Sequence, residues 1–538
     1  MNWLLTAFSA FLLPLALPNE LFHWGLALPG LVALVPALLV VYRVPQRHLA
    51  SRYGLVFGVI STAVGNYWLA FFGDFSVWTI GGTVLGYAGY NYLLFGFLHF
   101  LAHHRTMRGL RPLVIAVAWT GYEYLKSVGF LGYPWGLVAY PLAQWNWVAQ
   151  AAEFGGVWAL SFAAAYVNSA GAELLRRRDT APLWAQHRDA HEEAVAKLWR
   201  FAPRRAKPIP GPVAHGVAAV LVVLVFAGFG AWRLPSVKPQ GQYRLLLVQQ
   251  NVDSWQPGRF ADALAQAQRL SLRGIENTVD AVVWSETALR RPYASTSEFY
   301  RSHPPELPFR LFLENLGVPL VTGAPMPAAP GSRDATNSAL VIAPDGTLLG
   351  SYGKRQLVPF AESIPLWHVP AVQTFFRDVI GLYGTWVPGS QTEPTDLPLR
   401  SGGSVAIGMP ICFEDAFGWV PRQLVNNGAE LLINLTNNSW SRQNSAQTQH
   451  FVAARLRTIE LRTTLVRGTN SGLSSVVDAR GVVGDTLPMF ESTAGIVEVP
   501  VYQAQWTLYR AWGDWLGQAS AVATVIMVIV LGTGRRRE

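Results

Sequence analysis

The 538-residue chain has a single cysteine, Cys412. No internal disulfide can form, so folding does not depend on an oxidising compartment, and an unpaired thiol suits either side of a membrane. Charge is scarce: Asp, Glu, Lys and Arg make up 14% of the residues, where an average soluble domain carries about 25%. That shortfall, together with 51% hydrophobic residues and 21 Trp, excludes a plain soluble globule. It indicates a membrane protein with a sizeable water-facing part. A metalloprotease helix is also missing. His187 and His191 lie four apart and precede Glu192 and Glu193, but the order is not H-E-x-x-H and a solvated helix accounts for it. No metal and no cofactor are expected.

What the chain does have is long apolar runs. A span needs roughly 20 apolar residues. Residues 1–235 hold seven candidates, at about 2–18, 24–42, 55–73, 78–102, 112–130, 156–175 and 213–233. The loops between them alternate in charge. Arg43, Arg47 and Arg52, then Arg105, Arg108 and Arg111, then a basic loop over 176–210 follow every second span, whereas Pro18-Asn19-Glu20 and Gly73-Asp74-Phe75 lack Lys and Arg. The positive-inside rule makes the basic loops cytoplasmic. Topology therefore explains the sign of loop 176–210, and no nucleic acid partner is inferred from it. Seven spans carry the chain outside near residue 235. An eighth at 516–533, closed by Arg535-Arg536-Arg537, returns it. The expected organisation is a membrane domain over 1–235, an extracytoplasmic domain over 236–510, and a last span with a basic cytoplasmic tail over 511–538.

Between residues 236 and 510 polar residues, Gly and Pro become frequent and apolar runs shorten. Strands are expected at Arg244–Gln249, Ala281–Trp284, Pro319–Thr322, Ala339–Ile342, Val405–Ile411, Glu430–Leu435, Thr464–Val466 and Ser475–Val477, with helices such as Ala261–Asn277 and Gln449–Leu461 between some of them. Buried runs alternating with helices indicate a sheet covered on its faces. Three stretches carry chemistry. Val405-Ala406-Ile407 leads to Cys412, with Glu414 and Asp415 after it; Val282-Val283-Trp284 ends on Ser285-Glu286; and Lys354 stands at a turn after the hairpin-like segment Ala339–Leu349. A thiol nucleophile needs a base, a donor for the oxyanion and an acyl group within reach. Glu286 can be the base, Lys354 the electrostatic partner and Cys412 the nucleophile. His450, at a predicted helix start, is a second candidate partner for the thiol.

Lys354 within Tyr352-x-Lys354-x-x-Leu357-Val358-Pro359-Phe360-x-Glu362, and Cys412 within Ile411-Cys412-Phe413-Glu414, joined to the strand-end Glu286, resemble the Glu-Lys-Cys triad of the nitrilase superfamily. Asn434–Trp440 and Arg467–Gly472 resemble its later strands. With seven spans before this domain and one after it, nearly the whole chain resembles the apolipoprotein N-acyltransferases. The resemblance implies a multi-pass α-helical membrane domain plus an α/β nitrilase-like domain, an α-β-β-α sandwich, in the bacterial inner membrane with the catalytic domain on the periplasmic side. It implies a monomer that moves an acyl chain from a phospholipid, phosphatidylethanolamine, through a Cys412 thioester to the α-amine of a diacylglyceryl-cysteine apolipoprotein. It also implies supporting or substrate-binding roles for Glu362, Glu414, Phe413, Trp255 and Asn337. Phe413 stands where the family often has Tyr. A membrane-tethered amidase or hydrolase that passes the acyl group to water is the alternative. The aromatic segment from Ile364 to Pro388 is expected to dip into the outer leaflet.

Overall fold

The computed structural model describes residues 1–71, 76–178, 211–252, 258–293, 295–329, 331–332, 334–380 and 386–534. The two-histidine stretch at 187–191, most of the basic loop 176–210, Trp255, Tyr383 and the C-terminal arginines lie outside the described residues.

Each apolar run expected to be a span contains α-helix among the described residues. The helices are Asn2–Ala16, Ala27–Gly30 with Val35–Arg43, Arg47–Gly65, Ser76–His103, Arg111–Lys126, Val157–Arg178, Pro212–Arg233 and Trp515–Gly534. The third begins at Arg47, eight residues before the apolar run at 55, and stops at Gly65; Tyr67–Phe71 continues as a short 3-10 turn. Among the described residues two helices, Ser76–His103 and Pro212–Ser236, are long and apolar enough to cross a membrane, and Asn2–Ala16, Ala27–Arg43 and Trp515–Leu531 are shorter apolar helices. The last helix packs on Arg111–Lys126. Gly121 permits that approach: a Cβ there would stand 2.9 Å from the backbone of Ala521. Small residues at such crossings let helix backbones come together.

Among the described residues that follow there are twelve strands: β1 (Gly241–Gln249), β2 (Ala281–Val283), β3 (Leu320–Pro327), β4 (Ala335–Ile342), β5 (Leu348–Gly353), β6 (Thr395–Pro398), β7 (Ser404–Gly408), β8 (Leu431–Thr436), β9 (Thr464–Thr469), β10 (Ser475–Val477), β11 (Val483–Thr486) and β12 (Thr493–Val501). They form two six-stranded sheets, in the orders β12-β1-β2-β3-β4-β5 and β11-β10-β9-β8-β7-β6. The pairs β1–β2, β2–β3, β7–β8 and β8–β9 are parallel. Side chains alternate across a strand, and here the alternation separates two cores. Leu245, Leu247, Val283, Val321, Ala339 and Val341 face Val405, Ile407, Leu431 and Ile433 of the second sheet. Leu246, Val248, Val282, Trp284, Leu340 and Ile342 face the opposite way, onto helices Phe260–Gly274 and Phe309–Leu316. Helices Trp419–Asn426 and Asn444–Leu461 cover the second sheet through Val420, Leu424, Ala454 and Leu461. The result is a nitrilase-like α/β sandwich. All eight expected strands form. β5, β6, β11 and β12 are not among the strands read from the sequence; all four lie at sheet edges, and β6 and β11 have only four residues each.

The sandwich and the helices share a core. Phe413, Phe417, Ala446, Val452 and Leu456 join the same apolar cluster as Trp119, Trp135, Leu142 and Trp158. Charged groups lock the junction. Arg462 donates to Glu153 and Gln150, and the Val157 N–H donates to Glu460 Oε1 at 2.9 Å. Glu460 also pairs with Arg457 at 2.8 Å, while its second oxygen has no hydrogen-bond partner. Burial pushes the Glu460 carboxyl up to about 8, although Arg457 pulls it down. An unfolded glutamate loses its proton near pH 4.3, so Glu460 adds stability that is complete below that pH and is lost as pH rises towards about 8. The melting temperature is expected to fall over this interval. Glu460→Gln, neutral at every pH, should flatten the slope, and an unchanged slope in the variant would refute the assignment.

Candidate active site

Three strand ends on the two facing sheets converge on one buried cluster. β2 ends at Val283, and Trp284-Ser285 carry Glu286 just beyond it. β5 ends at Gly353, and Lys354 follows directly. β7 ends at Gly408, and Met409-Pro410-Ile411 lead to Cys412, the first residue of a 3-10 turn to Ala416. Chain exits at such ends point side chains into the space between the sheets' loops.

Lys354 is fully buried. Its Nζ lies 3.3 Å from Glu286 Oε1 and 2.8 Å from Glu362 Oε1. Asn337, on β4, donates to the same two oxygens, at 2.8 and 3.3 Å, and its backbone carbonyl accepts from the Lys354 N–H at 2.7 Å. The other Glu286 oxygen accepts from the Asn437 N–H at 2.8 Å. Glu362 is held in turn by the Val358 N–H at 2.9 Å. Burial works to lower the Lys354 pKa, but Glu286 and Glu362 outweigh it and hold it well above the usual lysine range. Lys354 is therefore a cation throughout the working pH range. It cannot take a proton and can stabilise an oxyanion.

Cys412 is partly exposed and sits at φ +49°, in the left-handed region. Such strain in a non-glycine residue clusters at functional sites. Glu414 fixes the turn. One of its oxygens accepts from the N–H groups of Arg355 (2.7 Å) and Gln356 (2.9 Å), the other from that of Ile411 (2.7 Å), and Tyr352 donates its hydroxyl to the pair at 3.0–3.1 Å. A single buried carboxylate thus ties the cysteine turn to the lysine loop; burial pushes it up to about 7 against those donors. Asn434 adds a bond from Nδ2 to the Cys412 carbonyl at 3.1 Å. Burial raises the Cys412 thiol well above its ordinary range and the Glu286 charge raises it further, opposed by Lys354. The resting thiol keeps its proton, so attack requires a base that takes it during the reaction.

The N-terminal segment 9–170 matches the family described as apolipoprotein N-acyltransferase N-terminal domain, and residues 247–510 match carbon-nitrogen hydrolase. Apolipoprotein N-acyltransferase 2 of Treponema pallidum is 35% identical over 95% of this chain and 91% of its own length; that of Treponema denticola is 36% identical over 94% and 93%. The chain belongs to the apolipoprotein N-acyltransferase family. Among solved structures, an amidase from Nesterenkonia sp. aligns with 48% of this chain and 90% of its own, at 19% identity and a TM-score of 0.35.

In this apolipoprotein N-acyltransferase fold Glu286, Lys354, Glu362 and Asn337 share one hydrogen-bond network, Glu414 ties the Lys354 loop to the Cys412 turn, and the thiol of Cys412 lies within the field of Glu286, Lys354 and Glu362. Phe413 points out of it. Its ring stacks on Trp135 (centroids 5.4 Å, planes 17° apart) and meets Phe417 edge-on, so an apolar ring fits where a hydroxyl would be buried in the helical core. His450 is not a partner of the thiol. Its Nε2 lies 2.7 Å from Asp415 Oδ1, and Arg467 closes on the other Asp415 oxygen at 3.1 Å. Sequence reading missed Asn437, because it contributes a backbone N–H, and Asn434 and Tyr352, whose partners lie far along the chain. In the aromatic segment Leu366, Phe375 and Val379 are exposed. Trp367 and Phe376 are half-buried; Phe376 stacks on Phe360, which meets Phe130 edge-on at 5.6 Å.

Proposed function

We propose that this enzyme of lipoprotein maturation moves an acyl chain from a membrane phospholipid, phosphatidylethanolamine, to the α-amine of an N-terminal diacylglyceryl-cysteine by way of a thioester on Cys412. The observation that carries this reading is the Glu286–Lys354–Cys412 cluster placed against an apolar helical core. Cys412 itself, with Val358 and Trp440, packs on the cluster that contains Trp135 and Trp119. An acyl chain arriving among the helices thus meets the nucleophile without passing through water, which favours aminolysis of the thioester over hydrolysis.

In the first half-reaction Glu286 takes the thiol proton as sulfur attacks the ester carbonyl. Lys354 stabilises the oxyanion, and the proton passes to the departing lysophospholipid alkoxide. In the second half-reaction the amine attacks the thioester, Glu286 removes its proton, and the departing thiolate takes that proton back from Glu286, which restores the resting thiol and the free base. Asn337 and the Asn437 N–H hold Glu286 in place, and Glu362 holds Lys354. Trp255 would contact substrate.

The chain's placement follows from the same reading. Residues 1–235 span the inner membrane seven times, 236–510 form the periplasmic catalytic domain, and 511–538 supply the eighth span and the cytoplasmic tail. Loop polarity and the eight apolar helices support this, as does the exposure of Leu366, Phe375 and Val379 for contact with the outer leaflet. The protein acts as a monomer.

The test is mass spectrometry of the intact protein incubated with phosphatidylethanolamine. An acyl adduct is expected on the peptide that carries Cys412, removable by hydroxylamine and discharged onto a diacylglyceryl-cysteine peptide as an amide. No adduct under turnover would end the proposal. Release of the acyl group as free acid in place of amide would make the enzyme a hydrolase. Glu286→Gln is expected to slow formation of the adduct by roughly 10²–10⁴-fold, the usual worth of a general base, while the thiol remains open to alkylation. Adduct formation at the unaltered rate would remove Glu286 from the reaction.

A further inference from the structure

Only Phe417 and Gly418 separate the cysteine turn from helix Trp419–Asn426. Trp419 shares a cavity wall with Ser127, Val128, Trp158 and Asp514. These stand at or just beyond the ends of helices Arg111–Lys126, Val157–Arg178 and Trp515–Gly534. In the placement proposed above they are the outer ends of the fifth, sixth and eighth spans. The short helix therefore lies at the outer boundary of the membrane.

Three half-buried arginines gather on this helix. Arg355 stands over the Trp419 ring, 5.0 Å from its centroid, and donates to the Gln423 amide oxygen at 2.6 Å. Arg422 donates to the backbone carbonyls of Arg510 at 2.8 Å and Ala511 at 2.6 Å. Arg510 donates to Asn426 Oδ1 at 3.0 Å and to the Gln505 and Val425 carbonyls at 3.3 and 3.1 Å. Every one of these acceptors is neutral, and among the described residues none of the three guanidiniums forms an ion pair. The carboxylates nearby are engaged elsewhere. Asp514 turns inward, its Oδ1 accepting from the Trp158 indole at 2.7 Å and the Tyr509 hydroxyl at 2.9 Å. Glu414 is fully buried among its own donors. Glu393, past the far end of the helix, accepts from Asn427 at 3.2 Å.

Exposed rings frame this positive patch. Trp506 and Trp512 are 70% and 65% exposed. Trp506 follows Gln505, which Arg510 touches, and Trp512 follows Ala511, which Arg422 touches. Trp512 also meets Trp515, the first residue of the last helix, edge-on at 6.1 Å. Tryptophan collects at the headgroup level of a bilayer, an arginine fork matches phosphate oxygens, and basic residues beside a span attract anionic lipid. We infer that helices Trp419–Asn426 and Leu508–Trp512 form a seat for anionic lipid headgroups of the outer leaflet. Arg355, Arg422 and Arg510 face the phosphates, and Trp506 and Trp512 lodge among the headgroups. The seat rests on the placement of the spans proposed above. It sets the height of the cysteine turn over the bilayer, because that turn runs almost directly into the seated helix.

The experiment is native mass spectrometry of the full-length protein in detergent with dialkyl phosphatidylglycerol or dialkyl phosphatidylcholine, ether lipids that offer no acyl ester to Cys412. The wild-type protein is expected to retain the anionic lipid at lower concentration than the zwitterionic one. Basic groups elsewhere on the chain bind it too, so the reading is the difference between wild type and variant. Arg422→Gln and Arg510→Gln, made separately, should each raise the phosphatidylglycerol concentration for half-maximal retention roughly fivefold, the effect of one arginine at an anionic surface. Retention of phosphatidylcholine should not change. Arg422→Lys, which keeps the charge, should keep the preference. Trp512→Ala, at the exposed rim, should weaken retention of both lipids, and it serves if the arginine variants do not fold. Equal effects of the arginine variants on both lipids, or none on either, overturn the seat. Retention of an acidic peptide in place of the lipid, lost in the same variants, marks a protein-docking face and overturns it as well. Placement is read separately: Asn427→Cys in the Cys412→Ala background should react with a membrane-impermeant maleimide in intact spheroplasts. Reaction only after lysis sinks the placement and the seat with it, whereas reaction from outside without a lipid preference sinks the seat alone.

Discussion

Lys354→Met is expected to abolish turnover and to destabilise the folded protein together. Lys354 is fully buried and stands between two carboxylates, 3.3 Å from Glu286 and 2.8 Å from Glu362. Removing one partner from a buried ionic group leaves uncompensated charge and costs roughly 3–5 kcal/mol. Here two like charges remain, bridged only by the Asn337 amide. Relief comes from protonating one of them, so the folded variant binds a proton that its unfolded chain has lost. The variant's stability then rises as pH falls towards the glutamate range and is poorest at alkaline pH. Melting curves at about pH 5 and about pH 8 should diverge more for the variant than for the wild type. The chemistry fails for a second reason: a methionine offers no donor to the oxyanion. A variant that melts normally and turns over would show that Lys354 is neither the structural counter-ion nor the electrostatic partner.

Cys412→Ala has the larger effect on activity alone. The side chain is partly exposed, and the turn around it is held by Glu414 and Asn434 through backbone groups that the substitution leaves in place. Alanine meets the same left-handed strain as cysteine, so the folded state loses little, within about 1 kcal/mol. The acyl adduct should vanish, and transfer to the amine should drop by on the order of a thousandfold or more, because the nucleophile has no substitute among its neighbours. Thermal melting with unaltered midpoint, beside the absent adduct, is the expected pair of results. Residual transfer at wild-type rate would place the nucleophile elsewhere.

Much of this site was legible before any coordinates. Glu286 and Cys412 each follow an apolar run that stops, which is how a strand end is written in the sequence, whereas Lys354 follows the mixed segment Leu348–Gly353 and is marked by its motif, Tyr352 to Glu362. The eight apolar helices were legible for the same reason: continuous apolarity is a local property. Helix Arg47–Gly65 marks where this stops being true. Its first turns carry Arg47 and Arg52, so hydropathy placed its start at residue 55, while backbone hydrogen bonding begins at Arg47. Phe413 was visible only as a departure from the Tyr common at that position; the reason for it, the face of Trp135, comes from a loop almost three hundred residues earlier.

The sequence alone determined the two-part organisation, most of the strands, the order of the Glu, Lys and Cys stretches and their kinship, because each depends on composition, periodicity or a short motif. Tertiary structure decided which groups meet. It gave His450 to Asp415 instead of Cys412, made Glu414 the clasp between two loops, and recruited the Asn437 N–H to Glu286. These are pairings across long sequence separations, set by how two sheets and a set of helices share a core, and no local pattern of residues encodes them.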